Sequence, residues 1–112
     1  MIDLNQMAEN MFNVTLQRQK NGANINTNPL AMLKHCATEV VEATEAYSKI
    51  KYFPQLNLNE QEIEKEHFAE ELADIIACVL ITSDCLGIDI EKALRECYEK
   101  NKARAELKGD KK

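Results

Sequence analysis

Two short stretches decide the fold and the chemistry of this chain: EVVE at residues 39–42 and ELAD at residues 71–74. Each places two carboxylates three residues apart in an otherwise apolar run. On an α-helix, residues with that spacing lie on one face, about 5–6 Å apart at Cβ. Two such helices packed side by side would point four carboxylates into one shared space, those of Glu39, Glu42, Glu71 and Asp74. Because crowded anions repel one another and burial increases that repulsion, the pattern predicts a divalent-metal site.

A helical wheel separates these carboxylates from the ordinary surface charges of their helices. Glu39 and Glu42 fall on the same arc as Met32. Glu71 falls among apolar residues, and its neighbour Glu70 falls on the polar arc. One E-x-x-E on a helix is usually a solvated face. Two copies that both lie off the polar arc favour a site, because carboxylates are rarely buried without a partner.

The composition is that of one small globular domain, which we place at residues 1–112 with a polar tail from about residue 105. The net charge of −5 argues against broad non-specific binding to nucleic-acid polymers. The first residues lack the features of a signal peptide, and no apolar run is long enough to span a membrane. The four cysteines have apolar neighbours and no C-x-x-C spacing, which predicts core thiols and a cytoplasmic location.

Apolar periodicity and capping signals predict four α-helices and no strands. The fold class is therefore all-α. The first helix is predicted to run from Asp3 to just before Lys20, and the second from Asn28 to about Lys51, ahead of Phe53 and Pro54. The third is predicted to run from Asn59 to Leu86 and to close on Gly87. The fourth begins at Asp89 and ends before the polar tail, which starts at about Ala105.

The third helix is apolar on nearly every side from Ile75 to Leu86, so most of its surface must be covered. Three short companion helices in one chain can hardly do this. We therefore expect a four-helix chain that forms a helical bundle, with its core completed by homo-oligomerisation as a homodimer or tetramer.

The two carboxylate motifs are each preceded by a histidine, His35 four residues before Glu39 and His67 four residues before Glu71. Either histidine could bind the metal or contact the carboxylate one turn away. A partly exposed histidine at the rim of a helix face is the favoured interpretation for both. Histidine ligation would suit zinc or iron better than magnesium.

The paired motifs and the spacer between them resemble those of the MazG-like, all-α nucleoside triphosphate pyrophosphohydrolase superfamily. The resemblance covers roughly Leu30 to Gly109. It includes Asn101-Lys-Ala-Arg104, followed by Lys108-Gly109, which is similar to the N-x-x-R tail of that superfamily.

This resemblance implies hydrolysis of a (deoxy)nucleoside triphosphate to the monophosphate and pyrophosphate, in nucleotide-pool housecleaning. It also implies that the four carboxylates hold Mg²⁺, with Mn²⁺ as the alternative. Many relatives carry a phosphate-binding Lys four residues before the Asn, where this chain has Cys97. Lys100, Asn101 and Arg104 are therefore the expected substrate-binding residues, with Lys102 as another candidate for the missing lysine.

The residues support such chemistry independently of the resemblance. A compact cluster of oxygen ligands suits Mg²⁺ or Mn²⁺, and a carboxylate with a free oxygen could take a proton from an attacking water. Asn101 follows the apolar stripe of the fourth helix, where an amide either bonds a ligand or is solvated at a frayed end. Arg104 lies one turn later, and its planar fork suits phosphate oxygens.

Two other classes of protein stay open. A di-metal carboxylate bundle that stores or senses metal would use Glu-x-x-His pairs, and Glu64-x-x-His67 is a single match. A helical oligomer or adaptor without chemistry would retain the charged residues for stability alone. Metal preference and nucleotide turnover distinguish the three classes.

Overall fold

The fold is seen in a computed structural model that describes residues 2–51 and 57–107, apart from the side chain of Lys51. These ranges contain no strand, which confirms the all-α prediction. None of their helices is long and apolar enough to cross a membrane. The four helices are α1 (Leu4–Lys20), α2 (Pro29–Lys51), α3 (Leu58–Cys85) and α4 (Ile90–Glu106).

The helix starts follow the capping signals, with one correction. Asp3 and Asp89 cap α1 and α4, accepting hydrogen bonds from the backbone N–H groups three residues on, each at 3.0 Å. The predicted cap at Asn59 is wrong, because Asn57 caps α3 and accepts from Glu60 N at 2.8 Å. Both asparagines precede a glutamate by three residues, so the pattern fits either one. The earlier cap adds about half a turn of backbone hydrogen bonds to the helix.

The end of α3 sets the direction in which α4 leaves. Gly87 has φ +66°, a left-handed conformation that favours glycine. Ile88 N donates to Ser83 O at 2.9 Å and Gly87 N donates to Asp84 O at 3.0 Å, which satisfies two terminal carbonyls. The predicted closure at Gly87 is confirmed. At the other end of α4, the helix includes Ala105 and Glu106, which the sequence assigned to the tail.

Some sequence expectations concern residues beyond the described ranges. These are Phe53 and Pro54, expected to stop α2, and Lys108 and Gly109 in the tail motif.

Helix α3 is the centre of the packing, with α2 and α1 against it, while α4 packs lightly against α1. Among the described residues the buried apolar core is small and rich in short side chains: Ala8, Met32, Ala43, Ala46, Cys78 and Leu80. Short side chains let helix axes approach closely. The carboxylates on the facing sides of α2 and α3 are therefore brought near one another.

One asparagine ties the start of α4 to α1. Asn5 Nδ2 donates to Asp89 Oδ1 at 2.8 Å, and Glu91 N donates to Asn5 Oδ1 at 3.4 Å. The hydrogen bond from Asn5, followed by that from Lys92 N, holds the pKa of Asp89 below its usual value. After Glu91, every described residue of α4 is exposed.

A single copy leaves much of its apolar surface uncovered. Leu72, Ile76 and Val79 form an exposed stripe along α3, and Ile76 keeps 58% of its surface accessible. Leu80, about one turn later along α3, keeps only 4%. The radius of gyration is 17.5 Å, whereas a compact chain of this length would have one of about 13 Å. The open shape matches the expectation that further surface is buried elsewhere, although the oligomer itself stays a prediction.

Candidate metal centre

The carboxylates of α2 and α3 meet at the interface of these two helices. Glu39, Glu42 and Glu71 each provide one carboxylate oxygen, and the three oxygens lie within 4.8 Å of one another. A hard divalent cation binds oxygen ligands at about 2.0–2.6 Å, so one ion could contact all three after small side-chain adjustments. Three of the four carboxylates that the helical wheel directs to this interface therefore lie together.

Two carboxylate oxygens in this group have no partner. The Oε2 atoms of Glu39 and Glu71 are buried and accept no hydrogen bond. A buried acceptor without a partner loses its hydration with no compensation, and a charged one loses the most. A bound cation would remove that penalty, and the donor set consists of hard oxygen atoms. The residues present therefore fit a divalent cation.

The two histidines lie at the rim of the carboxylate group. His35 Nε2 lies 2.9 Å from Glu39 Oε1, and His67 Nε2 lies 3.3 Å from Glu71 Oε1. His35 is exposed and His67 is half-buried, in agreement with the favoured rim position. Each histidine approaches one oxygen of a glutamate and leaves the other oxygen directed inward. Their contacts orient the carboxylates.

Asp74 lies beside the group of three oxygens but is not part of it among the described residues. Burial raises the pKa of Glu39, and the charges of Glu42 and Asp74 raise it further, while His35 opposes them. Asp74 is therefore close enough to act on Glu39 electrostatically. Glu42 and Asp74 are exposed in a single copy, whereas Glu39 is buried and Glu71 is half-buried.

The helix phase of α3 distinguishes two adjacent glutamates. Glu70 is exposed, and Glu71 is half-buried with one oxygen in the carboxylate group. This is the orientation that the helical wheel predicts for the pair. Glu70 is therefore a chemically matched control, one residue away from the proposed ligand Glu71.

The predicted phosphate-binding residues are in a different place. Lys100, Asn101 and Arg104 are exposed on α4, which packs against α1, whereas the carboxylates project from α2 and α3. Asn101 Nδ2 donates a long hydrogen bond to Cys97 Sγ at 3.7 Å. A single copy of the chain therefore does not bring these residues together with the carboxylate group.

Comparison with known families agrees with this arrangement. A family model described as the MazG nucleotide pyrophosphohydrolase domain matches residues 27–107. The chain belongs to this family. No curated protein and no solved structure gave a significant match.

The MazG match includes the last three helices and leaves out the first. It covers α2, α3 and α4, including all four predicted ligands, while α1 and residues 21–26 lie before it. At the family level the domain is a nucleotide pyrophosphohydrolase that depends on a divalent metal, and the acidic cluster is suited to bind one.

The four thiols of this MazG domain are all free, and none of them belongs to the group of three carboxylate oxygens. Burial, followed by a hydrogen bond with Cys36, raises the pKa of Cys78 to about 12. Cys78 is therefore protonated at neutral pH and is a poor metal ligand. The prediction of core thiols holds for Cys78 but is wrong for Cys97. Cys97 is exposed on α4, a helix that packs only lightly against α1.

Glu64 is a residue whose position the sequence did not reveal. Its Oε2 atom is buried and has no hydrogen-bond partner. It precedes Glu71 by seven residues, two helical turns, and so lies on nearly the same face of α3. The sequence signal was only the Glu64-x-x-His67 spacing, which does not show that an oxygen of Glu64 is buried.

Proposed function

We propose that this MazG domain hydrolyses a (deoxy)nucleoside triphosphate to the monophosphate and pyrophosphate, using a divalent cation. The observation that carries the proposal is the pair of buried, partnerless oxygens on Glu39 and Glu71, within a group of three carboxylates. Nucleotide-pool housecleaning is the role that we assign to the activity.

In this proposal Glu39, Glu42 and Glu71 hold the cation and Asp74 completes the set. Mg²⁺ is the expected ion and Mn²⁺ the alternative, since both prefer oxygen ligands. When bound, the cation neutralises triphosphate charge and stabilises the charge that develops as the phosphoanhydride bond breaks.

Asp74 is the best candidate to activate the attacking water. It is exposed and lies beside the three-oxygen group rather than within it, so a carboxylate oxygen stays available as a proton acceptor. The water oxygen forms a bond to phosphorus, the bridging P–O bond breaks, and pyrophosphate leaves with its electron pair. His35 and His67 hold the carboxylates of Glu39 and Glu71 in the orientation that this step requires.

Lys100, Asn101 and Arg104 are proposed to bind the substrate phosphates. Because α4 packs against α1 in a single copy, these residues would reach the carboxylate group of a second copy. The exposed stripe of Leu72, Ile76 and Val79 supports such an assembly. We propose a homodimer or tetramer that acts in the cytoplasm on free nucleotides and binds neither membranes nor nucleic-acid polymers.

The proposal is tested by measuring pyrophosphate release from a panel of canonical and modified (d)NTPs with Mg²⁺ or Mn²⁺. We expect metal-dependent release of pyrophosphate from at least one of them. Release of orthophosphate alone, or no release with either metal, would contradict the proposal. Tight metal binding without turnover would favour the metal-storage class, and neither binding nor turnover would favour the adaptor class.

A further inference from the structure

A cavity of about 440 Å³ adjoins the carboxylate group. It lies between the end of α1, the segment that follows it, the start of α2 and the middle of α3. His35 lines this cavity and also lies 2.9 Å from Glu39, so it links the two sites. On α3, Cys78 lines the cavity one turn after Asp74. The cavity is therefore next to the place where the proposed function puts the phosphates.

The cavity is lined by both apolar and polar residues. Met32 and Ile81 are among the apolar ones, and we call Arg18, Asn24 and Asn26 the polar wall. A few polar groups over an apolar lining, in a volume of some hundreds of cubic ångströms, are typical of small-molecule sites. The composition suits a ligand with an apolar body and polar edges.

Arg18 is the charged group of this wall. It is exposed, and it forms no ion pair with the residues that the structure describes. A guanidinium group presents only donors, in a planar fork. The group that it suits is therefore an acceptor, such as a keto oxygen, rather than an amine.

The segment that carries the asparagines is held in place. Gln19 Nε2 donates to Ile25 O at 2.9 Å, and Ala23 N donates to Arg18 O at 3.0 Å. Asn26 Oδ1 accepts from Asn28 N at 2.9 Å, so the amide nitrogen of Asn26 remains free to donate. A wall ordered before binding loses less entropy when a ligand arrives.

We infer that this cavity receives the nucleoside part of the nucleotide and that Arg18 donates to a keto oxygen of the base. The inference rests on the proposed function, because that function puts the phosphates at the neighbouring carboxylates. Guanine, thymine and uracil offer such an oxygen at the edge where adenine and cytosine carry an amine. Arg18, Asn24 and Asn26 precede the family match at residues 27–107, so this wall lies outside the part that matches the family.

Binding of nucleoside monophosphates tests the inference without requiring turnover. Calorimetry with dGMP, dTMP, dAMP and dCMP in excess Mg²⁺ should show tighter binding of the two keto bases. Arg18→Gln should weaken dGMP and dTMP binding at least about tenfold, the loss typical of a hydrogen bond to a charged group. The matched control is Lys20→Gln, which removes the same charge from the exposed last turn of α1, outside the cavity, and should change binding less than twofold.

Inorganic tripolyphosphate, which has no base, distinguishes base recognition from phosphate recognition. Its binding should be the same for the wild type and for Arg18→Gln. If Arg18→Gln weakens the binding of tripolyphosphate as much as the binding of dGMP, Arg18 is a phosphate ligand and the inference is overturned. Tighter binding of dAMP and dCMP than of dGMP and dTMP would overturn it as well.

A second variant tests the cavity itself. Ala31 lines it at the start of α2, and Ala31→Leu would fill part of its volume. We expect at least about tenfold weaker monophosphate binding and unchanged Mg²⁺ affinity, whereas Ala37→Leu, at an exposed position of the same helix, should behave like the wild type. Unchanged monophosphate binding in folded Ala31→Leu would overturn the inference.

These outcomes separate the inference from the proposed function. Monophosphate binding that depends on Arg18 and Ala31, in a protein that releases no pyrophosphate, would support the cavity and contradict the reaction. Pyrophosphate release that neither substitution changes would support the reaction and contradict the cavity.

Discussion

Helices α2 and α3 face each other along a packed interface, whereas α4 leaves nearly its whole surface to solvent. The first region places Glu39, Glu42 and Glu71 within 4.8 Å of one another. The second carries Arg104 and its neighbours on a helix that packs lightly against α1. The acidic part of the proposed site is therefore assembled within one chain, and the basic part is not. For this reason we propose that a second copy supplies the phosphate-binding side chains.

The largest expected effect comes from replacing a buried and an exposed apolar residue of α3. Leu80→Asp puts a charge into the core of the chain, where Leu80 is 4% exposed, so we expect loss of folding. Ile76→Asp changes the exposed stripe and should leave the helices intact but separate the copies. Circular dichroism and light scattering measure the two outcomes. A wild type that scatters light as a well-folded monomer would contradict the shared-core argument.

The proposal that α4 acts on the carboxylates of a second copy can be tested by mixing two damaged proteins. Glu39→Gln impairs the acidic region and Arg104→Ala the basic one. If the two regions meet across copies, a dimer with one of each variant has one intact site. An equimolar, re-equilibrated mixture should then recover roughly a quarter of wild-type pyrophosphate release.

Each variant incubated alone is the control for this mixing experiment. Activity that stays at the level of the separate variants would mean that α4 acts on its own chain or not at all.

A smaller effect concerns the stability of the metal-free carboxylate group. Because burial and the neighbouring carboxylates raise the pKa of Glu39, the folded protein binds more protons here than the unfolded chain. This stabilising contribution is complete below the ordinary pKa of 4.5 and is lost as pH rises through the higher folded value. In chelator, the wild type should therefore be more stable at mildly acidic pH than at neutral pH.

Glu39→Gln removes that charge. It should raise the free energy of unfolding of the metal-free protein at neutral pH by about 1–2 kcal/mol. Excess Mg²⁺ should stabilise the wild type more than this variant, since only the wild type keeps the full ligand set. Glu45→Gln, at an exposed position of α2, is the matched control. A lower stability of Glu39→Gln than of the wild type in chelator would show that the carboxylates are not crowded.

The features of this arrangement that depend on the spacing of nearby residues could be predicted from the sequence. Helical periodicity is set by consecutive residues, so the inward direction of Glu39 and Glu71 and the caps at Asp3 and Asp89 follow from the sequence. The Asn59 cap failed because Asn57 satisfies the same pattern two residues earlier.

The features that depend on contacts between distant parts of the chain could not be predicted from the sequence. The remote position of Arg104 depends on how α4 leaves the turn at Gly87 and contacts α1. The partnerless oxygen of Glu64 depends on what covers that face of α3. The cavity beside His35 is formed by three helices and the segment between α1 and α2, so no single stretch of sequence contains its signal.

The most direct test of the central claim compares Glu71→Gln with Glu70→Gln, two identical substitutions at adjacent residues of α3. The measurement is Mg²⁺-dependent pyrophosphate release from the best substrate, with the Mg²⁺ affinity of each folded variant determined in parallel. We predict that Glu71→Gln, which removes a metal ligand, lowers release by about 100-fold or more and weakens Mg²⁺ binding, while Glu70→Gln stays within a few fold of the wild type. Equal effects of the two substitutions on release and on Mg²⁺ affinity would contradict the assignment of the metal centre to this face of α3.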